Sequence, residues 1–162
     1  MNSIVSGNVG LIHLASSAMA MILGAIILLE RKGTRHHRRL GYVYVGCMVV
    51  LLVSSFMLYN LFGRFGIFHF ASILSSLTLG MGMLPLIKRP EKWIIYHFSG
   101  MYWSVIGLYA AFLSELFTRV LPTPFFTGVG LGTAAIMIAG AIGFRYNSKK
   151  WENQFKAANP NH

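Results

Sequence analysis

Five long apolar stretches constrain this chain more than any other feature of its sequence. A membrane-spanning helix needs about 20 mostly apolar residues, because each residue advances about 1.5 Å through a hydrocarbon core about 30 Å thick. Five stretches reach this length, at about 9–29, 40–62, 66–87, 93–118 and 124–144. We therefore predict an all-α integral membrane helical bundle with five transmembrane helices.

Little sequence lies between these stretches, which predicts one domain. Of the 162 residues, 55% are hydrophobic and 11% are charged, against roughly 25% charged in a soluble domain. We predict a single transmembrane domain over residues 1–162, with residues 146–162 as a cytoplasmic tail. No basic segment precedes the first stretch, so we interpret it as a retained helix and not as a signal peptide.

The net charge of +10 is explained by the side of the membrane on which the basic residues fall. The segments ERKGTRHHRR and KRPEKW and the tail are basic, whereas the opposite ends hold only Arg64 and Arg119. The positive-inside rule then places the N-terminus outside and the C-terminus in the cytoplasm. We expect a multi-pass protein of the bacterial plasma (inner) membrane that contacts anionic lipid head groups at its cytoplasmic face and binds no nucleic acid.

Polar and small residues recur on one face of each of the first four predicted helices, at steps of three and four residues. The four stripes are His13, Ser17, Ala20 and Gly24; His37, Gly41, Tyr44, Met48, Ser55 and Tyr59; His69, Ser72, Ser76, Gly80 and Met83; and His97, Met101, Ser104, Leu108, Ala111, Glu115 and Arg119. Each stripe has a histidine near one end of its helix. Because an ionisable side chain facing lipid costs several kcal/mol, we expect the stripes to face the interior.

Counting residues along each helix sorts the ionisable groups into two layers. His13, His69 and Glu115 fall near the outer surface, with a positive charge on the next turn after the glutamate. His37 and His97 fall near the inner boundary. The sequence leaves the cofactor undecided between zinc and b-type haem.

Both cofactors fit these layers. In an antiparallel four-helix arrangement, diagonal histidines bind a haem iron from both sides, which pairs His13 with His69 and His37 with His97. Alternatively, His13, His69 and Glu115 form a zinc site with an open position for water, as an intramembrane hydrolase would require. A third hypothesis is a proton-coupled transporter, or a scaffold whose polar spine is structural. Whether the protein is an enzyme stays open.

The fifth predicted helix is rich in glycine and has no ionisable residue between Phe125 and Phe144. The spacing of Gly128 and Gly132 indicates close packing against a neighbouring helix, or against a second copy of the chain in a homo-oligomer. Cys47 is the only cysteine, which excludes an intramolecular disulfide.

Three segments carry a resemblance to a known family: HRRLGYVYV (37–45), FGIFHFASILSSLTLGMG (65–82) and HFSGMYWSVIGLYAAFLSELFTR (97–119). Together with His13 and the RKGTRHHRR loop, they resemble a family of predicted bacterial membrane proteins, domain-of-unknown-function family 2306. The resemblance covers roughly residues 9–120. It implies the membrane fold and singles out the same histidines, with Glu115 and Arg119, but it implies no particular reaction.

Overall fold

A computed structural model describes residues 7–58, 65–122 and 124–158 of the chain. These residues form no strand and five α-helices: α1 (Gly7–Leu29), α2 (Arg35–Met57), α3 (Ile67–Lys88), α4 (Trp93–Val120) and α5 (Phe125–Ala158). All five helices are long and apolar enough to cross a membrane. The predicted all-α fold with five transmembrane helices is confirmed, and the orientation of the termini stays a prediction.

Helices α2 and α5 differ most from their predicted bounds. α2 begins at Arg35 and not near residue 40, because the hydroxyl of Thr34 caps it by accepting a bond of 3.0 Å from the backbone N–H of His37. α5 continues to Ala158, so the described part of the predicted tail is helical. Residues 59–62 of the predicted second helix, Arg64 and residues 159–162 lie outside the described residues.

The contacts within the chain group its residues into two compact units, Met1–Leu77 and Thr78–His162. The boundary between the units falls within α3, and the single domain stays a prediction. In the first unit α1 packs against α2. The most deeply buried side chains there are Ala20, Tyr44 and Met48, each at most 1% exposed. All three belong to the predicted stripes of their helices, so these parts of the stripes face the interior as expected.

In the second unit α4 packs closely against α5 through glycines. A Cβ atom on Gly132 would lie 2.7 Å from the Cα atom of Ser114, and a Cβ atom on Gly128 would lie 3.2 Å from the backbone of α4. Small residues of this kind let two helix backbones approach in a membrane. The sequence predicts that Gly128 and Gly132 pack closely against a neighbouring helix, and this is confirmed: the neighbour is α4 of the same chain. A homo-oligomer through α5 stays a prediction, and the space around Gly130 is open.

Two further glycines bring α3 and α4 together in the second unit. A Cβ atom on Gly100 would collide with the backbone of Gly82, and one on Gly82 would lie 2.8 Å from the backbone nitrogen of Met101. His97 lies about one turn before Gly100 on α4. The close crossing therefore brings a histidine ring within reach of the main chain of α3.

Candidate functional site

His97 is the predicted ligand with the best-defined hydrogen bond. Its half-buried ring places Nδ1 2.7 Å from the carbonyl oxygen of Gly82. A carbonyl oxygen only accepts, so Nδ1 carries the proton and Nε2 of the neutral ring holds the lone pair. Metal-binding histidines are commonly oriented in this way, with one ring nitrogen donating to a backbone carbonyl and the other bound to the metal.

Ser54 holds His13 in the same tautomer. Nδ1 of His13 lies 3.1 Å from Oγ of Ser54, and that hydroxyl donates to the carbonyl oxygen of Leu51 at 2.9 Å. A serine hydroxyl has one hydrogen, so Nδ1 of His13 is the donor in the first bond and its Nε2 holds the lone pair. This bond joins α1 to α2 within the first unit.

His69 has the opposite tautomer. The backbone N–H of Gly66 donates to Nδ1 at 3.1 Å, so Nε2 carries the proton of the neutral ring. The side chain is 6% exposed and stacks on Phe65, with ring centroids 4.7 Å apart. Binding a metal ion through Nε2 would require His69 to lose or shift this proton.

His37 lies in the first turn of α2 and is half-buried. Its backbone N–H completes the N-terminal cap with Thr34. The backbone of His37 is therefore held at the start of the helix. The sequence-based pairing of His37 with His97 stays a prediction.

Glu115 and Arg119 form an ion pair near the end of α4. A guanidinium nitrogen of Arg119 lies 2.6 Å from the carboxylate of Glu115, and the two side chains are 41% and 45% exposed, respectively. Nowhere in residues 7–58, 65–122 and 124–158 are three His, Cys, Asp or Glu side chains grouped so that they could hold a metal ion. The zinc site of His13, His69 and Glu115 stays a prediction.

The sequence analysis missed a hydroxyl network on α4. Ser114 is 2% exposed, and its Oγ lies 2.7 Å from a carbonyl oxygen of its own helix, 3.2 Å from the carbonyl oxygen of Val129 and 2.9 Å from Oγ1 of Thr133. The last two contacts join α4 to α5. The available signal was the glycine at position 132, which marks the side of α5 that approaches α4.

Tyr102 provides a second bond between α4 and α5. Its hydroxyl donates to the carbonyl oxygen of Gly140 at 2.7 Å, and the side chain is 5% exposed. The ring also contacts those of Phe144 and Trp151, with centroids 5.2 Å and 5.4 Å away. Aromatic and hydrogen-bonded contacts thus fix this end of α4 against α5.

The side chain of Lys32 caps the C-terminal end of α1. Its ammonium group donates to the carbonyl oxygens of Ile27 at 2.5 Å and Leu28 at 2.9 Å, and the residue is 8% exposed. Burial lowers the pKa of Lys32 to about 8, an effect that the charge of Glu30 partly opposes. Gly33, with φ at 78°, adopts the left-handed conformation that the turn into α2 requires. The basic loop between the first two spans is therefore anchored to α1.

These elements define a class of protein: a multi-pass membrane protein in which serine, tyrosine and histidine side chains bond one helix to another. The sequence model of a predicted membrane protein family, DUF2306, matches residues 10–145. The chain belongs to this family, which confirms the resemblance seen in the sequence. No curated protein and no solved structure matches the chain.

Proposed function

We propose that this membrane protein binds b-type haem, that His97 would be a ligand of the iron, and that the protein transfers electrons in the membrane. The observation that carries the proposal is the 2.7 Å bond from Nδ1 of His97 to the carbonyl oxygen of Gly82. This bond orients the imidazole and leaves its lone pair on Nε2, the nitrogen that would bind the iron. When bound, the haem would supply one-electron chemistry.

The hydrogen bonds favour haem over the three-residue zinc site. A haem ring supplies most ligands of its iron, so one or two histidines complete the coordination. The zinc site would need the carboxylate of Glu115, which is paired with Arg119. It would also need His69, whose Nε2 carries the proton.

His13 is the second residue that could bind the iron, because Ser54 holds it in the same tautomer as His97. Its sequence-based partner, His69, would have to give up the bond from Gly66 or its Nε2 proton. We therefore expect the haem bound by His97 to be retained more tightly than one bound by His13. The partner that the sequence assigns to His97 is His37.

An absorption spectrum of the detergent-purified protein, with total metal analysis on the same sample, tests the proposal. We expect a Soret band, reduced-minus-oxidised difference bands and stoichiometric iron. The variant His97→Ala should lose haem absorbance. The matched control is His36→Ala, since the side chain of His36 is 63% exposed and pairs with Glu30 at the surface.

Three outcomes would refute the proposal. A colourless sample that holds stoichiometric zinc would favour the zinc hydrolase, and a protein that takes up neither metal nor added hemin would favour transport or a structural spine. Equal haem content in the His97→Ala and His36→Ala variants would refute the assignment of the ligand. Thermal unfolding of both variants separates loss of haem from loss of fold.

A further inference from the structure

An open apolar groove lies at the end of α3, on the second unit. It has a volume of about 210 Å³. Its lining residues are Met81, Leu84, Pro85, Lys88, Pro90 and Tyr96. These residues come from the last two turns of α3, the following turn and the start of α4. The groove therefore lies where a membrane span ends.

The lining of the groove fits a flexible apolar chain. Met81 and Leu84 are 63% and 51% exposed, and Lys88 can lay its aliphatic stem along the groove with its ammonium group at the rim. The volume is below the roughly 300–1,000 Å³ that encloses a drug-sized ligand. A segment of an acyl chain fits a groove of this size and apolar lining.

The end of the groove is positively charged. The turn Lys88, Arg89, Pro90, Glu91 and Lys92 holds three basic residues and one acidic residue. The guanidinium of Arg89 lies over the ring of Trp93, 5.9 Å from its centroid, which orients this charge. Phosphate groups of lipids lie at the same boundary as the end of a membrane span, so the charge is complementary to an anionic head group.

We propose that this groove binds one acyl chain of an anionic phospholipid, whose phosphate is held by Lys88 and Arg89. Pro85 adds a rigid apolar ring to the lining of the groove. Binding of this lipid does not require haem.

Native mass spectrometry of the full chain in detergent tests the proposal with two probes, dioleoyl phosphatidylglycerol and dioleoyl phosphatidylcholine. Wild-type protein should retain phosphatidylglycerol in preference to phosphatidylcholine. Lys88→Gln should lower retention of phosphatidylglycerol about five-fold, the effect of one basic residue at a lipid surface. Its control is Lys150→Gln on α5, which removes an exposed lysine that does not line the groove.

A second variant tests the groove without changing charge. Leu84→Trp fills the groove and should lower retention of phosphatidylglycerol, whereas Leu131→Trp should not, although both leucines are 51% exposed. Thermal unfolding of each variant checks the fold. The proposal is overturned by equal retention of the two lipids, by wild-type retention in Lys88→Gln or Leu84→Trp, or by equal losses in a variant and its control. Recovery of a bound quinone in place of the phospholipid would also overturn it.

Discussion

Replacing Gly132 by alanine tests the packing of α4 against α5. The added Cβ atom would lie 2.7 Å from Cα and N of Ser114 and 2.9 Å from the carbonyl carbon of Leu113. All three are backbone atoms, so α4 itself must move. Overpacking of this kind costs about 1–3 kcal/mol, and each weakened interhelical hydrogen bond of Ser114 adds about 0.6 kcal/mol. Alanine regains about 1 kcal/mol of helix propensity, so we expect the free energy of unfolding to fall by about 1–3 kcal/mol.

The matched control is Gly130→Ala on the same helix, where the added Cβ would meet no described side chain and no backbone of another described helix within 4 Å. This variant gains helix propensity without a collision, so its stability should be unchanged or raised by up to about 1 kcal/mol. Reversible unfolding in mixed detergent micelles, followed by circular dichroism, gives both free energies. Equal stabilities of Gly132→Ala and Gly130→Ala would refute the close approach of the two helices.

Further predictions concern the polar contacts. The pKa of Lys32 is about 8 in the folded chain, against its ordinary value of 10.5 in the unfolded chain, so between these pH values the unfolded chain binds more protons. The free energy of unfolding should therefore rise over this range, by roughly 3 kcal/mol at most, and Lys32→Met should remove the rise in unfolding curves measured as a series in pH. Ser114→Ala should lower stability by about 1 kcal/mol in the same micelle assay, because α4 loses a side-chain bond to α5; unchanged stability would contradict the network. Glu115→Gln should change stability by less than about 0.5 kcal/mol, because its pair with Arg119 is exposed, and a larger loss would show that the carboxylate has another partner.

The five spans could be predicted from apolar length alone, but the partner of each helix could not. Ser54 and Ser55 show why. Ser54 bonds to His13 on α1, whereas Ser55 bonds to Ser72 on α3 at 2.8 Å. Consecutive residues on a helix point about 100° apart, so adjacent serines meet different neighbours. The predicted stripe of α2 included Ser55 but not Ser54. A single helical periodicity identifies only one face of a helix, whereas α2 makes polar contacts from two faces.

The candidate ligands could be identified from the sequence, whereas their protonation could not. The tautomer of each histidine depends on a group from another residue: the carbonyl of Gly82 for His97, the hydroxyl of Ser54 for His13 and the N–H of Gly66 for His69. Two of these groups belong to the main chain, which every residue has. Side-chain spacing therefore contains no signal that distinguishes His69 from the other two.

α5 is a single continuous helix that is longer than the membrane is thick, so its end can serve as a rigid attachment point. Its 34 residues form a helix about 50 Å long, about 20 Å longer than the thickness of the hydrocarbon core. Two contacts with α4 fix the direction of this helix: the close approach of Gly132 to Ser114 and the hydrogen bond from Tyr102 to Gly140. A helical fusion partner joined in register at Ala158 would continue the same rod and keep a fixed orientation. For a membrane protein of this size, such a fusion would give electron microscopy a feature outside the detergent micelle from which particles can be aligned.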